Sequence, residues 1–232
     1  MIDCIIPART ASTRFPNKIF AEVKEKAVLQ HCIDNAMKCA DISKVWVAAD
    51  EYDDIWAPNL IKTKKIHNTC TSRVAEACIQ SDADYFVNLQ SDEPCVTPDM
   101  ISGVIRKMLE LQEGMVQCCY PLTDEERSNV NVVKAVISNG EIIYLTRTPD
   151  RELMDSPNLI GINGLYAYDL GTIMDYPEYD LNLVNAHKGL DTLAFIGKVP
   201  VIPFMIPERT PAVDVPSDIK LVEEYLDRQK DI

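Results

Sequence analysis

A chain of 232 residues is long enough for one large α/β domain with a substantial core, or for two small domains. Its formal net charge of −13 argues against nucleic acid or an anionic membrane surface as the main partner, although a local group of cations could still bind a small anion. The composition is that of a soluble globular protein and no stretch reaches membrane-spanning length, so we expect a cytoplasmic protein without membrane insertion.

The first half of the chain alternates strand and helix patterns. Strands are predicted at 2–6, 44–50, 84–94 (where the strand runs into an acidic turn) and 115–122, and helices at 27–39, 70–81 and 98–112. A short strand that is apolar at all positions but one, such as 2–6 with its single acid Asp3, is typical of a parallel sheet covered on both faces. The alternation predicts an α/β fold with a Rossmann-like, doubly wound, mostly parallel sheet.

The second half has a different pattern. Two strand-like runs within 132–147 flank Asn139 and Gly140, which is a strong hairpin signal. Further strands are predicted at 159–169 and 199–206, and an amphipathic helix begins at Pro216. No flexible linker divides the chain, so we expect one domain over 1–232 whose second half is mixed and partly antiparallel.

The eight cysteines are scattered and form no CxxC pair. They lie at positions 4, 32, 39, 70, 78, 95, 118 and 119, mostly inside apolar stretches. This distribution indicates neither a zinc site nor a disulfide framework, and it favours buried, reduced thiols.

The loop after the first strand concentrates positive charge. The stretch IPARTASTRFPNK, residues 6–18, carries Arg9, Arg14 and Lys18. Ligands bind beyond the carboxyl ends of the strands in this architecture, so these cations could bind a polyphosphate. The alternative is a solvated loop whose cations pair with surface acids, since the stretch lacks the spacing of a P-loop or a dinucleotide fingerprint.

Two aspartates follow strand-like segments. Asp92 comes after the strand that ends at Gln90, and Asp214 follows the last predicted strand. Mg²⁺ is usually held by one or two carboxylates together with phosphate oxygens, so this pair is a candidate metal site. The alternative is that Asp92 caps the helix at Pro98 and Asp214 caps the final helix.

Seven blocks along the chain resemble one family. They are IPARTASTRFPNK (6–18), HNTCTSRVAEA (67–77), VNLQSDEP (87–94), NVNVVKAV (129–136), YLTRTP (144–149), GLYAY (164–168) and AVDVPSDI (212–219). In this order they resemble the signature of the CMP-Kdo synthetases, the 3-deoxy-manno-octulosonate cytidylyltransferases, which activate sugar acids for lipopolysaccharide biosynthesis. The first and third blocks are the most specific.

The resemblance implies roles for individual residues. It implies that Ala8, Arg9, Arg14, Lys18, Thr71, Arg73 and Gln90 bind CTP; that Gln90, Arg147, Tyr166 and Asp191 bind the sugar acid; that Asp92 and Asp214 hold Mg²⁺; and that Arg9, Arg14, Lys18 and Asp92 are catalytic. Arg73 could instead be a surface residue paired with Glu76. His67 matches a family histidine, and we assign it and Glu93 no role.

The acceptor side departs from the family pattern. Ile162 and Asn163 stand where a histidine precedes the GIY-x-Y block, and Thr192 replaces a glutamine beside Asp191. Asn17 and Ser91 replace glycines, which is a mild change. The sugar acid is therefore expected to be Kdo or a relative, such as an amino-substituted Kdo, another ulosonic acid or a nonulosonic acid.

The expected activity is transfer of CMP from CTP to the anomeric hydroxyl of a 3-deoxy-2-keto sugar acid, which makes the chain a nucleotidyltransferase. The resemblance implies a homodimer, with nucleotide bound by 1–122 and the sugar acid and dimer contact assigned to 123–232. A catalytically silent nucleotide-binding homologue, acting as a sensor or partner subunit, is the alternative. A transferase that uses another nucleotide is less favoured, because the base-site block follows the cytidine pattern.

Overall fold

The computed structural model describes residues 1–9, 14–50, 56–64, 67, 69–179, 181–187 and 189–230. Residues 10–13 of the opening loop therefore lie outside the described part of the chain. The strands are β1 (Ile2–Ala8), β2 (Glu22–Val23), β3 (Lys26–Ala27), β4 (Lys44–Ala49), β5 (Leu60–Lys62), β6 (Tyr85–Leu89), β7 (Met115–Tyr120), β8 (Lys134–Ser138), β9 (Glu141–Thr146), β10 (Leu159–Asp169) and β11 (Val201–Met205).

Helices connect most of these strands. They are α1 (Val28–Lys38), α2 (Cys70–Cys78), α3 (Pro98–Leu111), α4 (Asp124–Ser128), α5 (Arg151–Met154), α6 (Leu170–Asp175), α7 (Asn182–Ala186) and α8 (Asp218–Lys230), with short 3₁₀ turns at Lys18–Phe20, Tyr176–Glu178 and Asp191–Ala194. Every strand and helix predicted from the sequence is present. The elements that the sequence patterns missed are short, such as β5 and α4 to α7.

The large sheet has the order β11-β7-β10-β6-β1-β4-β5, and β8 and β9 extend from β10. β1, β4, β5 and β6 pair in parallel, and β7 pairs in parallel with β11. β10 is antiparallel to both of its central neighbours, β6 and β7. The predicted fold class, a mostly parallel sheet with an antiparallel part, is confirmed. β10 lies between two strands of the first half, a position that the sequence does not predict because strand patterns do not determine which strands are neighbours.

Apolar side chains cover both faces of the sheet. Cys4 and Ile6 of β1 belong to the core cluster that also contains Ile33 of α1. Ile5 faces the opposite side and belongs to a second cluster with Val74 of α2. Burying a side chain of this size contributes about 1.5–3 kcal/mol, so the two layers explain why β1 is mostly apolar. Its one acid, Asp3, is buried and accepts hydrogen bonds from Trp46 Nε1 and Ser81 Oγ.

The hairpin of the second half forms where the sequence predicts it. β8 and β9 pair antiparallel, and the two residues between them both have positive φ, 51° at Asn139 and 82° at Gly140. Asparagine and glycine tolerate this left-handed conformation, which the tight turn requires.

The carboxyl ends of β1, β6 and β11 lie along one side of the sheet, together with the beginning of the antiparallel β10; we call this side the ligand edge. All eight cysteines are free thiols, buried except for the partly buried Cys70. Among the described residues, no helix has the length and hydrophobicity needed to cross a membrane.

Candidate active site

The opening loop places Lys18 through a left-handed residue. Asn17 has φ 57° and ψ 25°, and it immediately precedes the 3₁₀ turn that begins at Lys18. Asparagine adopts this conformation at lower cost than most residues, which is how it replaces the glycine of the family pattern. Ile19, the second residue of this turn, is fully buried in the core and so fixes the backbone next to Lys18.

Lys18 lies between the two predicted metal-binding aspartates. Its ammonium hydrogen-bonds to Asp92 Oδ2 and lies 3.4 Å from Asp214 Oδ1. Burial opposes the charged form of Lys18, but the charges and hydrogen bonds of the two carboxylates outweigh that effect and raise its pKa. The two carboxylates, far apart in sequence, thus converge on one cation.

Arg14 completes this arrangement: its Nη2 lies 2.8 Å from Asp214 Oδ1. We call Arg14, Lys18, Asp92 and Asp214 the charged cluster. Its two cations and two carboxylates lie at the ligand edge, as their positions after β1, β6 and β11 predict.

Neither aspartate of the charged cluster has the capping role considered as the alternative. Thr97 caps α3, because its side chain accepts a hydrogen bond from the Met100 backbone N–H. At the start of α8 the Asp218 carboxylate accepts the backbone N–H groups of Asp214 and Val215. The capping interpretation of Asp92 and Asp214 is therefore wrong, and both side chains are available to bind a ligand.

A cleft of about 570 Å³ opens at the ligand edge beside the charged cluster. Most of the predicted site residues line it: Arg9, Arg14, Gln90, Asp92, Arg147, Tyr166, Asp191 and Asp214. Lys18 lies behind the two aspartates that face the cleft. The fold thus gathers predicted nucleotide, metal and acceptor residues around one space.

Thr71 and Asp191 contact each other directly. The Thr71 backbone N–H and hydroxyl both donate to Asp191 Oδ2, at 2.9 and 2.7 Å. Burial raises the pKa of Asp191, and the hydrogen bonds from Thr71 counter that effect. A buried residue predicted to bind the nucleotide therefore holds Asp191, a predicted acceptor residue 120 positions away that lines the cleft.

Arg73 is buried rather than on the surface. Its Nη1 donates to Thr63 Oγ1 and lies 3.4 Å from Asp50 Oδ1. Glu76 pairs instead with His67, at 2.8 Å, so the alternative of a surface pair between Arg73 and Glu76 is wrong. Arg73, Ala8 and His67 line a small cavity of about 20 Å³, which shares Arg9, Thr69 and Cys70 with the cleft.

Arg147 and Tyr166 lie on the side of the cleft formed by the second half of the chain. Arg147 donates from Nη1 to the Asn131 carbonyl at 2.9 Å, and burial together with the nearby Arg14 lowers its pKa. The buried Lys134 donates to the carbonyls of Asn129 and Arg147 and so ties the two backbone segments together. Tyr166 is half-buried on β10, and burial raises its pKa.

A buried group of hydrogen-bonded side chains forms the floor of the cleft, and the sequence motifs did not reveal it. Glu93 accepts from the Gly164 N–H at 2.9 Å and from Asn163 Nδ2 at 3.1 Å. Burial and the neighbouring Asp92 raise the pKa of Glu93 to about 8. Asn163 Nδ2 also donates to Thr210 Oγ1, at 2.7 Å.

The same network continues below the cleft. Gln117 donates from Nε2 to the Asn163 carbonyl at 2.8 Å and accepts from Thr192 Oγ1 at 3.1 Å. We call Glu93, Gln117, Asn163, Thr192 and Thr210 the polar network. Gly164 is one sequence signal for this network, since a Cβ there would lie 2.6 Å from Glu93 Oε1.

The charged cluster has the donors that Mg²⁺ requires. Carboxylate oxygens are its preferred protein ligands, and Asp92 and Asp214 already converge on one positive charge. Among the described residues no group of three or more histidines, cysteines and carboxylates surrounds a common point, so these residues fit a metal that takes its other ligands from phosphate and water.

Comparisons with known proteins agree on one family. The cytidylyltransferase family profile matches residues 4–169. The chain is 31% identical to the 3-deoxy-manno-octulosonate cytidylyltransferase of Protochlamydia amoebophila, over 97% of this chain and 94% of that protein. It is 30% identical to the enzyme of the same name from Myxococcus xanthus, over 96% of this chain and 95% of that one.

A solved structure of a CMP:2-keto-3-deoxy-manno-octonic acid synthetase complexed with CTP has the same fold. It superposes with a TM-score of 0.88 at 23% identity and covers 98% of this chain and 99% of the other. A glucose-1-phosphate thymidylyltransferase structure described as putative, from Bacillus anthracis, is more distant, with a TM-score of 0.71 at 15% identity over 97% and 94% of the two chains.

Proposed function

The chain belongs to the CMP-Kdo synthetase family of cytidylyltransferases, and from that premise we propose that it transfers CMP from CTP to the anomeric hydroxyl of a 3-deoxy-2-keto sugar acid. The products are a CMP-sugar and pyrophosphate. The observation that carries the proposal is the charged cluster, in which Lys18 holds Asp92 and Asp214 together at the edge of the cleft. A chain that only bound nucleotides would not need these paired carboxylates.

The proposed reaction is an in-line displacement at phosphorus. The anomeric oxygen forms a bond to the α-phosphorus of CTP and releases its proton to solvent, while the bond to the bridging oxygen breaks and its electron pair leaves with pyrophosphate. Arg9, Arg14 and Lys18 offset the negative charge on the triphosphate and on the leaving group. Because the arginines already line the cleft, this stabilisation requires little reorganisation.

We propose that Asp92 and Asp214 hold Mg²⁺ with the phosphates of CTP. When bound, the ion polarises the α-phosphate. Arg14 and Lys18 keep the two carboxylates oriented before the nucleotide arrives, since both cations contact Asp214 and Lys18 also contacts Asp92. The burial of Lys18, whose side chain is 13% exposed, makes this a defined position rather than a mobile surface charge.

We assign the cytidine to the side of the cleft near Ala8, Thr71, Arg73 and Gln90. Gln90 is fixed by its backbone N–H, which donates to the Gly164 carbonyl at 2.9 Å, and by its side chain, which donates to Asn88. Gln90 lies between the two halves of the chain, so it can contact the acceptor as well.

We assign the sugar acid, Kdo or a relative, to the side lined by Arg147, Tyr166 and Asp191. The acidic Asp191 is suited to accept hydrogen bonds from sugar hydroxyls, and Arg147 is suited to pair with an anion. The departures at Ile162 and Asn163 lie on this side, which supports an acceptor that differs from Kdo itself.

We further propose a single domain that works as a homodimer in the cytoplasm, within lipopolysaccharide biosynthesis. The free cysteines support a reducing compartment. Ile143 and Tyr144 on β9 are exposed large side chains, and they support a dimer contact in the second half of the chain.

Pyrophosphate release tests the proposed activity. The full chain is mixed with CTP and Mg²⁺ and with each of a panel of sugar acids, comprising Kdo, an amino-substituted Kdo, other ulosonic acids and nonulosonic acids. We expect release with at least one acceptor and none without an acceptor. Tight CTP binding without release in any mixture would instead identify a silent nucleotide-binding homologue.

A further inference from the structure

Arg209 lies in a segment that crosses the ligand edge after β11. At the start of this segment the Ile206 N–H donates to the Cys119 carbonyl at 2.8 Å, and near its end the Val213 N–H donates to the Asp92 carbonyl at 2.9 Å. Arg209 is between these two anchors, so it lies over the part of the sheet formed by β7 and β10. This part of the sheet carries Asn163 and Tyr166 on the acceptor side of the cleft, which Arg209 lines together with Arg14 of the loop that follows β1.

The backbone that carries Arg209 is held by the polar network. The next residue, Thr210, is buried, and its hydroxyl accepts a hydrogen bond of 2.7 Å from Asn163. Asn163 is in turn fixed by Glu93. Asn163, at which the chain departs from the family pattern, therefore holds Thr210, the residue next to Arg209.

The Arg209 side chain is placed to meet a ligand. It lines the central cleft and also a neighbouring cavity of about 900 Å³, and its side chain is 45% exposed. Within the described residues its recorded ion pair is with Glu126 Oε1, at 3.4 Å, a long contact. The other Glu126 oxygen accepts the Thr123 N–H as part of the cap of α4, so Glu126 has a structural role without Arg209.

Two other arginines on the cleft walls have shorter contacts than Arg209. Arg14 pairs with Asp214 at 2.8 Å, and Arg147 donates to the Asn131 carbonyl at 2.9 Å. An arginine with donors to spare on the acceptor side is suited to bind a carboxylate with two parallel hydrogen bonds. Nothing in the motifs of the chain singles out Arg209.

We propose that Arg209 binds the carboxylate of the sugar acid and is a specificity-determining residue of the acceptor site. This inference rests on the proposed function, because it takes the acceptor to be a sugar acid. Arg209 would then be a cationic contact for the acceptor, and Asn163 and Thr210 would hold the backbone that carries it.

Steady-state kinetics of the full chain test the role of Arg209. Arg209→Ala should raise the KM for the sugar acid at least about tenfold, the loss typical of a charge-assisted contact, with little change in the KM for CTP. Arg209→Lys should fall between Arg209→Ala and the wild type, because lysine keeps the charge and loses the forked geometry. Circular dichroism and thermal melts check that each variant is folded.

Two matched variants separate binding from structure and from net charge. Glu126→Gln removes the partner charge of Arg209 but keeps an acceptor for the cap of α4, and we expect it to keep the wild-type KM for the sugar acid. Arg228→Ala removes one positive charge from the far wall of the neighbouring cavity, where Arg228 lies over the Tyr225 ring, and it should also leave that KM unchanged. An equal KM in Arg209→Ala and wild type, or the same loss in Glu126→Gln, would overturn the proposal.

The wild type serves as the test of the underlying function. If it releases no pyrophosphate with any acceptor, the proposed function fails, whatever Arg209 does. Calorimetric titration of Kdo and of the other sugar acids of the panel into the CTP-loaded wild type and Arg209→Ala then decides the inference alone. Weaker binding to the variant supports the carboxylate contact, and equal binding or no binding to either protein contradicts it.

Discussion

The two sides of the cleft are built from different interactions. The charged cluster on the nucleotide side consists of ion pairs among groups that are partly exposed, such as Asp214 and Arg14. The polar network on the acceptor side is buried and is held by neutral donors such as Asn163 and Thr192. The nucleotide side can therefore exchange its ion pairs for contacts with an anionic ligand, whereas the hydrogen bonds of the acceptor side keep its shape fixed.

The largest expected effect comes from breaking the charged cluster. Asp92→Asn and Asp214→Asn should each abolish most turnover, because we assign both carboxylates to one metal ion. The double variant should lose far less than the product of the two single losses, since groups that act as a unit lose the function once. Initial rates and thermal melts on the same preparations measure both quantities.

Metal rescue provides the control for that experiment. Excess Mg²⁺ or Mn²⁺ should partly restore either single variant, because a weakened site refills by mass action. Single variants that keep wild-type rates would place the metal elsewhere and would leave the nucleotide side without its assigned chemistry.

Nucleotide choice gives the next largest effect. A site with Thr71, Arg73 and Gln90 around the base should prefer CTP to UTP, because a 4-keto base would leave polar groups of the pocket unpaired. Competition binding among the four nucleoside triphosphates measures the preference. Equal affinity for ATP or GTP would contradict the assignment of cytosine to this side.

A smaller effect is expected at Asn17, which sets the position of Lys18. Its φ of 57° is left-handed, so Asn17→Gly should be as stable as the wild type, whereas Asn17→Ala should lose about 1 kcal/mol of unfolding free energy. Denaturant unfolding of the two variants measures the difference. Equal stability of the alanine and glycine variants would show that this backbone conformation is not required.

The smallest effect concerns acid stability near His67. Burial and the charge of Arg73 lower the pKa of His67, so the folded protein binds this proton less readily than the unfolded chain. The free energy of unfolding should therefore fall as the pH drops below the unfolded value of about 6.5. His67→Gln should make the free energy of unfolding less dependent on pH between about pH 7 and 5. An unchanged dependence would mean that other groups cause it.

The sequence allowed the charged cluster to be predicted, because its residues follow strands whose carboxyl ends share one edge. Arg14 and Lys18 follow β1, Asp92 follows β6 and Asp214 follows β11, and the motifs identify each segment. The long helices and strands were also predictable, because their apolar residues extend far enough along the chain to show a helical or a strand spacing.

Contacts between distant segments were not predictable in this way. The pairing of Thr71 with Asp191 and of Thr192 with Gln117 depends on the position of β10 and the turns around it, which local patterns do not encode. The surface alternative for Arg73 is wrong because α2 is buried on most of its circumference, and the apolar period of such a helix does not show which side chains are exposed. Arg209 lies outside every motif.

The most direct test of the account is the kinetic effect of Lys18→Ala. Lys18 joins the two carboxylates and is assigned to the triphosphate, so the variant should lose at least about tenfold in kcat/KM for CTP while its KM for the sugar acid changes little. Lys24→Ala is the matched control, since Lys24 is a neighbouring lysine whose recorded ion pair is with Asp227, away from the cleft. Wild-type kinetics in Lys18→Ala would contradict the assignment of the charged cluster to the nucleotide.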